Sequence, residues 1–128
     1  MSPRRATIED LPLIIELAEL HASLAGDGHP VDRDWLTTMA TVGLTHTDKI
    51  LFIDETGYAG AFVSPRFHTP ALGASMPEIF IRPEARTLAN IRAFINAAKT
   101  WAKAQGADSL RWSFERNGHV TGRVIKLG

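Results

Sequence analysis

The sequence contains no cysteine. Disulfides, thiolate metal centres and cysteine nucleophiles are therefore excluded. No apolar run approaches the ~20 residues that a membrane-spanning helix needs. The two arginines of "MSPRRATIED" have no apolar stretch behind them, so the N-terminus does not read as a secretion signal. The expected compartment is the cytoplasm, of a cell or of an infected host. His21, His29 and His46 are scattered, and no histidine pair stands at metal-ligand spacing, so no metal is expected. The serines sit in no nucleophile elbow, which leaves a hydrolase triad unsupported. Tyrosine occurs once, at Tyr58. No stripe of basic and aromatic residues marks a nucleic-acid surface. Repeats, linkers and low-complexity segments are absent.

What is there is the composition of an ordinary globule, 45% apolar and 22% charged over 128 residues. That length predicts a single domain, 1–128, able to bury a core without staples. The net charge is zero but uneven. Residues 1–81 carry five Lys and Arg against eleven Asp and Glu, and residues 82–128 carry nine against three. A basic half in a neutral chain suits a local anionic ligand or an acidic partner. Solvated surface charge is the other reading.

"RRAT" reads as a short first strand. Leu11, Ile14, Ile15, Ala18, Ala22 and Ala25 then recur at helical spacing. Thr7 or Asp10 caps this helix, Pro12 falls in its first turn, and Gly26 ends it. Asp32 or Asp34 caps a second helix that carries Trp35, Leu36, Met39 and Ala40 and closes at Gly43. "KILFID" and "YAGAFVS", separated by "ETG", predict a hairpin. "PRFHTPALGA", with two prolines and a glycine, predicts a surface loop. "SMPEIFIR" is a third strand of this group, in which Pro77 cannot donate to a ladder, so a bulge or an unpaired edge is expected there.

The strongest helical stripe follows: Leu88, Ile91, Phe94, Ile95, Ala98, Trp101 and Ala102, with Gly106 as C-terminal cap. "SLRWSFE" alternates as a strand, and "RNGHVTGRVIKLG" reads as a last loop and short helix. The order is β-α-α-β-β-β-α-β-α, an α+β fold in which helices pack on a hairpin-based, mostly antiparallel sheet. Residues 78–115 form one strand–helix–strand unit, expected as a parallel crossover.

This order resembles the GNAT superfamily of acyl-CoA N-acyltransferases over essentially the whole chain. "RRATIEDLPLIIELA" is similar to the family's opening strand and "T-x-E-D-L". "IFIRPEAR" is similar to the fourth strand and its turn, and "AAKTWAKAQGADSLRW" to the main helix and fifth strand. Asn117 with "RVIKLG" resembles the closing "N-x-x-A-x-x-L-Y-x-K-x-G-F". The resemblance implies acetyl-CoA as cosubstrate and a primary amine, small molecule or protein, as acceptor. It implies that backbone N–H groups at the start of the main helix hold the pyrophosphate. The family's Arg/Gln-x-x-Gly-x-Gly/Ala frame falls on Arg86, Thr87, Leu88, Ala89, Asn90 and Ile91. Arg86 fits, Ala89 replaces the first glycine, and Ile91 stands where glycine or alanine is usual, its place in the apolar stripe pointing it to the core.

The resemblance further implies that the fourth and fifth strands open apart, so that a pantetheine arm lies along Ile79 and Ile81 as an added strand would. Asn117 would contact the far part of CoA. Glu78 matches the family's carboxylate base, with a plain surface residue on an edge strand as the alternative. The usual tyrosine acid, seven residues after Asn117, is Val124 here. His68 and His119 are further proton carriers in principle, or exposed loop residues. The chain reaches Gly128 where the family continues with two more strands, so an exposed fifth-strand edge is expected, a pairing surface for a second copy or a protein partner.

Two function readings stand at this point. One is an N-acetyltransferase. The other is a GNAT-like module without turnover, of a size that resembles phage-encoded proteins, acting in binding, in a virion or on a host.

Overall fold

The computed structural model describes residues 2–26, 28–116 and 119–128. The elements are β1 (Arg4–Arg5), α1 (Leu11–Ala25), α2 (Arg33–Thr45), β2 (Lys49–Asp54), β3 (Gly57–Arg66), β4 (Thr69–Ile81), α3 (Leu88–Ala104), β5 (Ser109–Arg116) and β6 (His119–Lys126). They form one six-stranded sheet in sequence order, antiparallel throughout except for the parallel pair β4–β5. No helix among the described residues is long and apolar enough to cross a membrane.

The first turn is tied down by Asp10. Its carboxylate accepts the Thr7 N–H at 2.7 Å and two bonds from the Arg4 guanidinium, at 2.7 and 2.8 Å. These contacts, Arg4 first, pull the Asp10 carboxyl down to about 2. Gly26 closes α1 in the left-handed region, at φ 65°. Asp32 caps α2 by accepting the Trp35 N–H at 3.0 Å. That helix does not stop at Gly43 but runs on to Thr45. Gly43 instead lets α2 approach the sheet, since a Cβ there would lie 3.4 Å from Leu51 Cγ.

Alternation along the strands sends side chains to the two faces of the sheet. On one face α3 buries Phe94, Ala98 and Ala102 against Met76 and Leu110. On the other, Ile14 and Leu17 of α1 and Ala40 of α2 pack on Ile53, Tyr58 and Phe80. The stripe of α3 is as the spacing predicts, except that its first member, Leu88, is 62% exposed. At the β2–β3 hairpin, Gly57 is forced by contact, because a Cβ would run into the Phe80 carbonyl oxygen.

Two expectations are corrected. "PRFHTPALGA" is not a loop: β3 runs to Arg66 and β4 starts at Thr69, with Phe67 and His68 between them. Its prolines fall at the hairpin's end, where the register shifts between Pro65 and Arg66, so few ladder bonds are lost. The closing loop and helix are replaced by β6, paired antiparallel with β5 from Ser109↔Lys126 to Arg116↔His119. The fifth strand is therefore no edge. It lies between β4 and β6, which removes the basis for a partner at that edge.

Candidate acyl-transfer site

The bulge expected at Pro77 is present. Gly60 pairs with Glu78 and Phe62 with Ser75, so Ala61 alone faces Met76 and Pro77. On its other side β4 pairs with β5 only through Ala74↔Leu110, Ser75↔Arg111 and Met76↔Trp112. Pro77 has no N–H to extend that ladder, and the strands part there. The result is a cleft of about 920 Å³ between Pro77–Ile81 of β4, Trp112 and Ser113 of β5, and Leu88, Ile91 and Ile95 of α3. Ile91 does what its stripe position predicts: it packs on the α3 core and also forms part of the cleft wall.

The Arg82 N–H donates to the Thr56 carbonyl at 2.7 Å. With that bond fixed, antiparallel alternation turns the backbone groups of Ile79 and Ile81 away from β3, toward the cleft. The carbonyl of Ile81 is already taken, accepting from Arg86 Nε at 2.8 Å. The Arg86 guanidinium also lies 5.6 Å from the centre of the Phe80 ring. Its two terminal nitrogens make no other hydrogen bond among the described residues.

The start of α3 gathers the other expected phosphate-binding residues. Thr87 Oγ1 accepts the Asn90 N–H at 3.2 Å, and Asn90 Nδ2 donates to the Ala85 carbonyl at 2.7 Å. Thr87 and Asn90 thus shape the turn, while the N–H groups of Leu88 and Ala89, first in the helix, have no partner within it and stand at the positive end of its dipole. Of these residues Arg86 and Leu88 line the cleft, as do Ile79 and Ile81, while Thr87, Ala89 and Asn90 are next to them in sequence at the start of α3 without lining it. Asn117 lies outside the described residues.

Glu78 lies where two hollows meet. It lines the cleft, and it also lines a second pocket of about 310 Å³ enclosed by α1, α2 and strands β2–β4. Among the described residues it is the only charged one lining that second pocket. Tyr58 lines the same pocket and is the diagonal cross-strand neighbour of Glu78. Burial pushes the Tyr58 phenol far up, and the Glu78 charge adds to this, so the hydroxyl keeps its proton. The Tyr58 oxygen lies 2.9 Å from His21 Nδ1 on α1. The His21 ring stacks on Phe80 at 4.6 Å and borders the cleft.

Sequence reading missed this His21–Tyr58 pair. The signal was present in the spacing of Ile14, Leu17 and His21, which puts the histidine on the buried stripe of α1. The other histidine candidates do not join the site. His68 is exposed at the β3–β4 turn, nine residues and roughly 30 Å along β4 from Pro77. The His119 side chain lies outside the described residues. Val124 is on β6 opposite Arg111 and 58% exposed. Counting to the family's tyrosine assumed a helix that is not there.

No protein-family model matches the chain, and no curated protein is similar to it in sequence. Solved structures do match. The chain is similar to an integron cassette protein from the mobile metagenome of Cole Harbour Salt Marsh (TM-score 0.79, 19% identity, 92% of this chain and 86% of that one). It is similar to a GNAT family acetyltransferase of Staphylococcus aureus (TM-score 0.71, 21% identity, 94% and 93%). A Clostridium acetobutylicum protein described as a "predicted acetyltransferase with acetyl-CoA" also matches (TM-score 0.74, 13% identity, 91% and 82%). The protein therefore has the GNAT fold.

Proposed function

We propose that the protein is an N-acetyltransferase, moving an acetyl group from acetyl-CoA to a primary amine in the cytoplasm. The observation that carries this reading is the cleft opened at Pro77. It has an arginine and a helix N-terminus at its head, free strand backbone along its wall, and a carboxylate where it meets a second pocket. Arg86 and the Leu88 and Ala89 N–H groups suit a pyrophosphate. The backbone of Ile79 and the Ile81 N–H suit the amides of a pantetheine arm. Acetyl-CoA supplies the activated acyl group and a thiolate leaving group.

The protein's own part is to orient the amine and move a proton. Glu78, directly or through water, accepts the proton that the amine nitrogen must lose before it attacks. Tyr58, the diagonal neighbour of Glu78 across β3 and β4, is in turn within hydrogen-bond distance of His21. With the Tyr58 hydroxyl donating to Nδ1, the ring proton of His21 sits on Nε2. In this reading the proton taken from the amine passes from Glu78, by way of a water, to the Tyr58–His21 pair and on to the departing sulfur, in place of the tyrosine absent at position 124.

The test is free thiol released from acetyl-CoA with a panel of primary amines, beside thermal melts in millimolar acetyl-CoA. Ligand at about a hundred times its dissociation constant should add ~2.7 kcal/mol of stability. No shift in the melt and no thiol above background would overturn the enzyme and leave the non-catalytic module.

A further inference from the structure

The pocket that Glu78 shares with the cleft constrains the acceptor. It is the smaller hollow, at about 310 Å³. An apolar cavity of about half that size holds a benzene ring. A ring on a short arm therefore fits. Its wall is made by Ile14, Leu36 and Ile53, and its rim carries Trp35 and Met39, which are 65% and 49% exposed. Those two lie four apart on α2, so both stand on one side of the opening. A hydroxyl or second ammonium pressed against this wall would lose its water and find no partner.

Charge narrows the choice further, because among the described residues Glu78 is the one charged residue lining the pocket and can compensate one ammonium. Gly60 makes the room, being opposite Glu78 in the β3–β4 register. A Cβ at Gly60 would meet only Leu51 Cδ2, at 3.4 Å.

We propose that the acceptor is a primary amine on a compact apolar body, an aromatic ring on a short alkyl arm, seated between α1, α2 and the sheet with its ammonium at Glu78. This rests on the acetyl-transfer reading for its role as substrate. The alternative classes, polyamines and amino sugars, carry several charges or hydroxyls, which a wall of Ile14, Leu36 and Ile53 does not match.

The test is a binding titration without any acyl donor, followed by tryptophan fluorescence, with Trp35 at the rim as reporter. The probes are 2-phenylethylamine, ethylamine, spermidine and the neutral 2-phenylethanol. 2-Phenylethylamine should bind at least about tenfold more tightly than ethylamine or spermidine. Gly60→Val, a β-branched residue suited to a strand, should fill the floor and remove that advantage while sparing ethylamine. Glu78→Gln should bring 2-phenylethylamine to the level of 2-phenylethanol. Should Gly60→Val fail to fold, Ala18→Leu on the α1 wall serves with the same expectation. Spermidine binding as tightly as 2-phenylethylamine, or full affinity in a folded pocket-filling variant, would overturn the proposal. Because no donor is present, such a failure leaves acetyl transfer standing. Intact selectivity with only background acetylation would instead overturn the transfer and keep the pocket.

Discussion

Tyr58→Phe removes a single oxygen and tests whether the His21–Tyr58 pair does more than hold α1 to the sheet. Tyr58 is 7% exposed, and its ring lies 6.0 Å from that of Phe80, so the packing survives the change. What is lost is the 2.9 Å bond to His21 Nδ1. A net hydrogen bond of this kind is worth about 0.5–1.5 kcal/mol. For a chain of this size each kcal/mol corresponds to a fall in Tm of roughly 3–8 °C. The kinetic effect should be larger. Proton delivery to a leaving group is worth ~10²–10⁴-fold, and a thiolate needs the least help, so kcat should fall about 10²-fold. The Kd for acetyl-CoA should not change, because Tyr58 is on the pocket side of Glu78. The assay is thiol release at saturating acetyl-CoA and amine, well below the Tm of either protein. His21→Gln, which keeps a polar partner for Tyr58 but cannot relay a proton, should lower kcat by the same factor. The double variant should fall no further, since the two act as one unit. A parent-like kcat in Tyr58→Phe, with Tm lowered, would show the pair to be structural and refute the route through His21.

Arg86→Ala should weaken acetyl-CoA binding by about 10- to 100-fold by calorimetry, the loss of one charge-assisted phosphate bond of ~1.5–3 kcal/mol, with Tm lowered by the loss of its bond to the Ile81 carbonyl but the protein still folded. Gly57→Ala should destabilise by roughly 1–3 kcal/mol in urea unfolding, because its Cβ would run into the Phe80 carbonyl of a neighbouring strand. Asp10 ionises near pH 2 when folded, against an ordinary 3.8. Its stabilising effect is therefore complete above about pH 4 and lost as pH falls toward 2. With Arg4 largely exposed this amounts to about 1–2 kcal/mol, and Asp10→Asn should flatten the parent's decline in Tm over that window.

The helices and the bulge were legible because each is written locally. The α3 stripe, the Asp10 and Asp32 caps and the missing N–H of Pro77 all act within a few residues of themselves. The errors came where one residue type serves two purposes. Gly43 and Gly73 look like breakers, yet Gly43 lets a helix approach Leu51 and Gly73 sits within β4. Expecting a helix after β5 hid the alternation of "HVTGRVIK", although Asn117-Gly118 between two alternating runs is a hairpin signal in the sequence itself. The His21–Tyr58 contact spans 37 positions. Nothing in either neighbourhood names the other, and only the packing of α1 on β3 brings them together.

The separation of β4 from β5 also bears on how fast a ligand could enter. Pro77 removes the donor covalently, so the two strands have no zipped state to return to when the cleft is empty. Entry would require no prying apart of a sheet, and association should be limited by encounter and orientation rather than by a slow opening step. The same break leaves a stretch of strand without a lateral neighbour inside the sheet, which at an outer edge would invite another chain. Here β5 and α3 flank it as the walls of the cleft, so it is not an outer edge of the sheet.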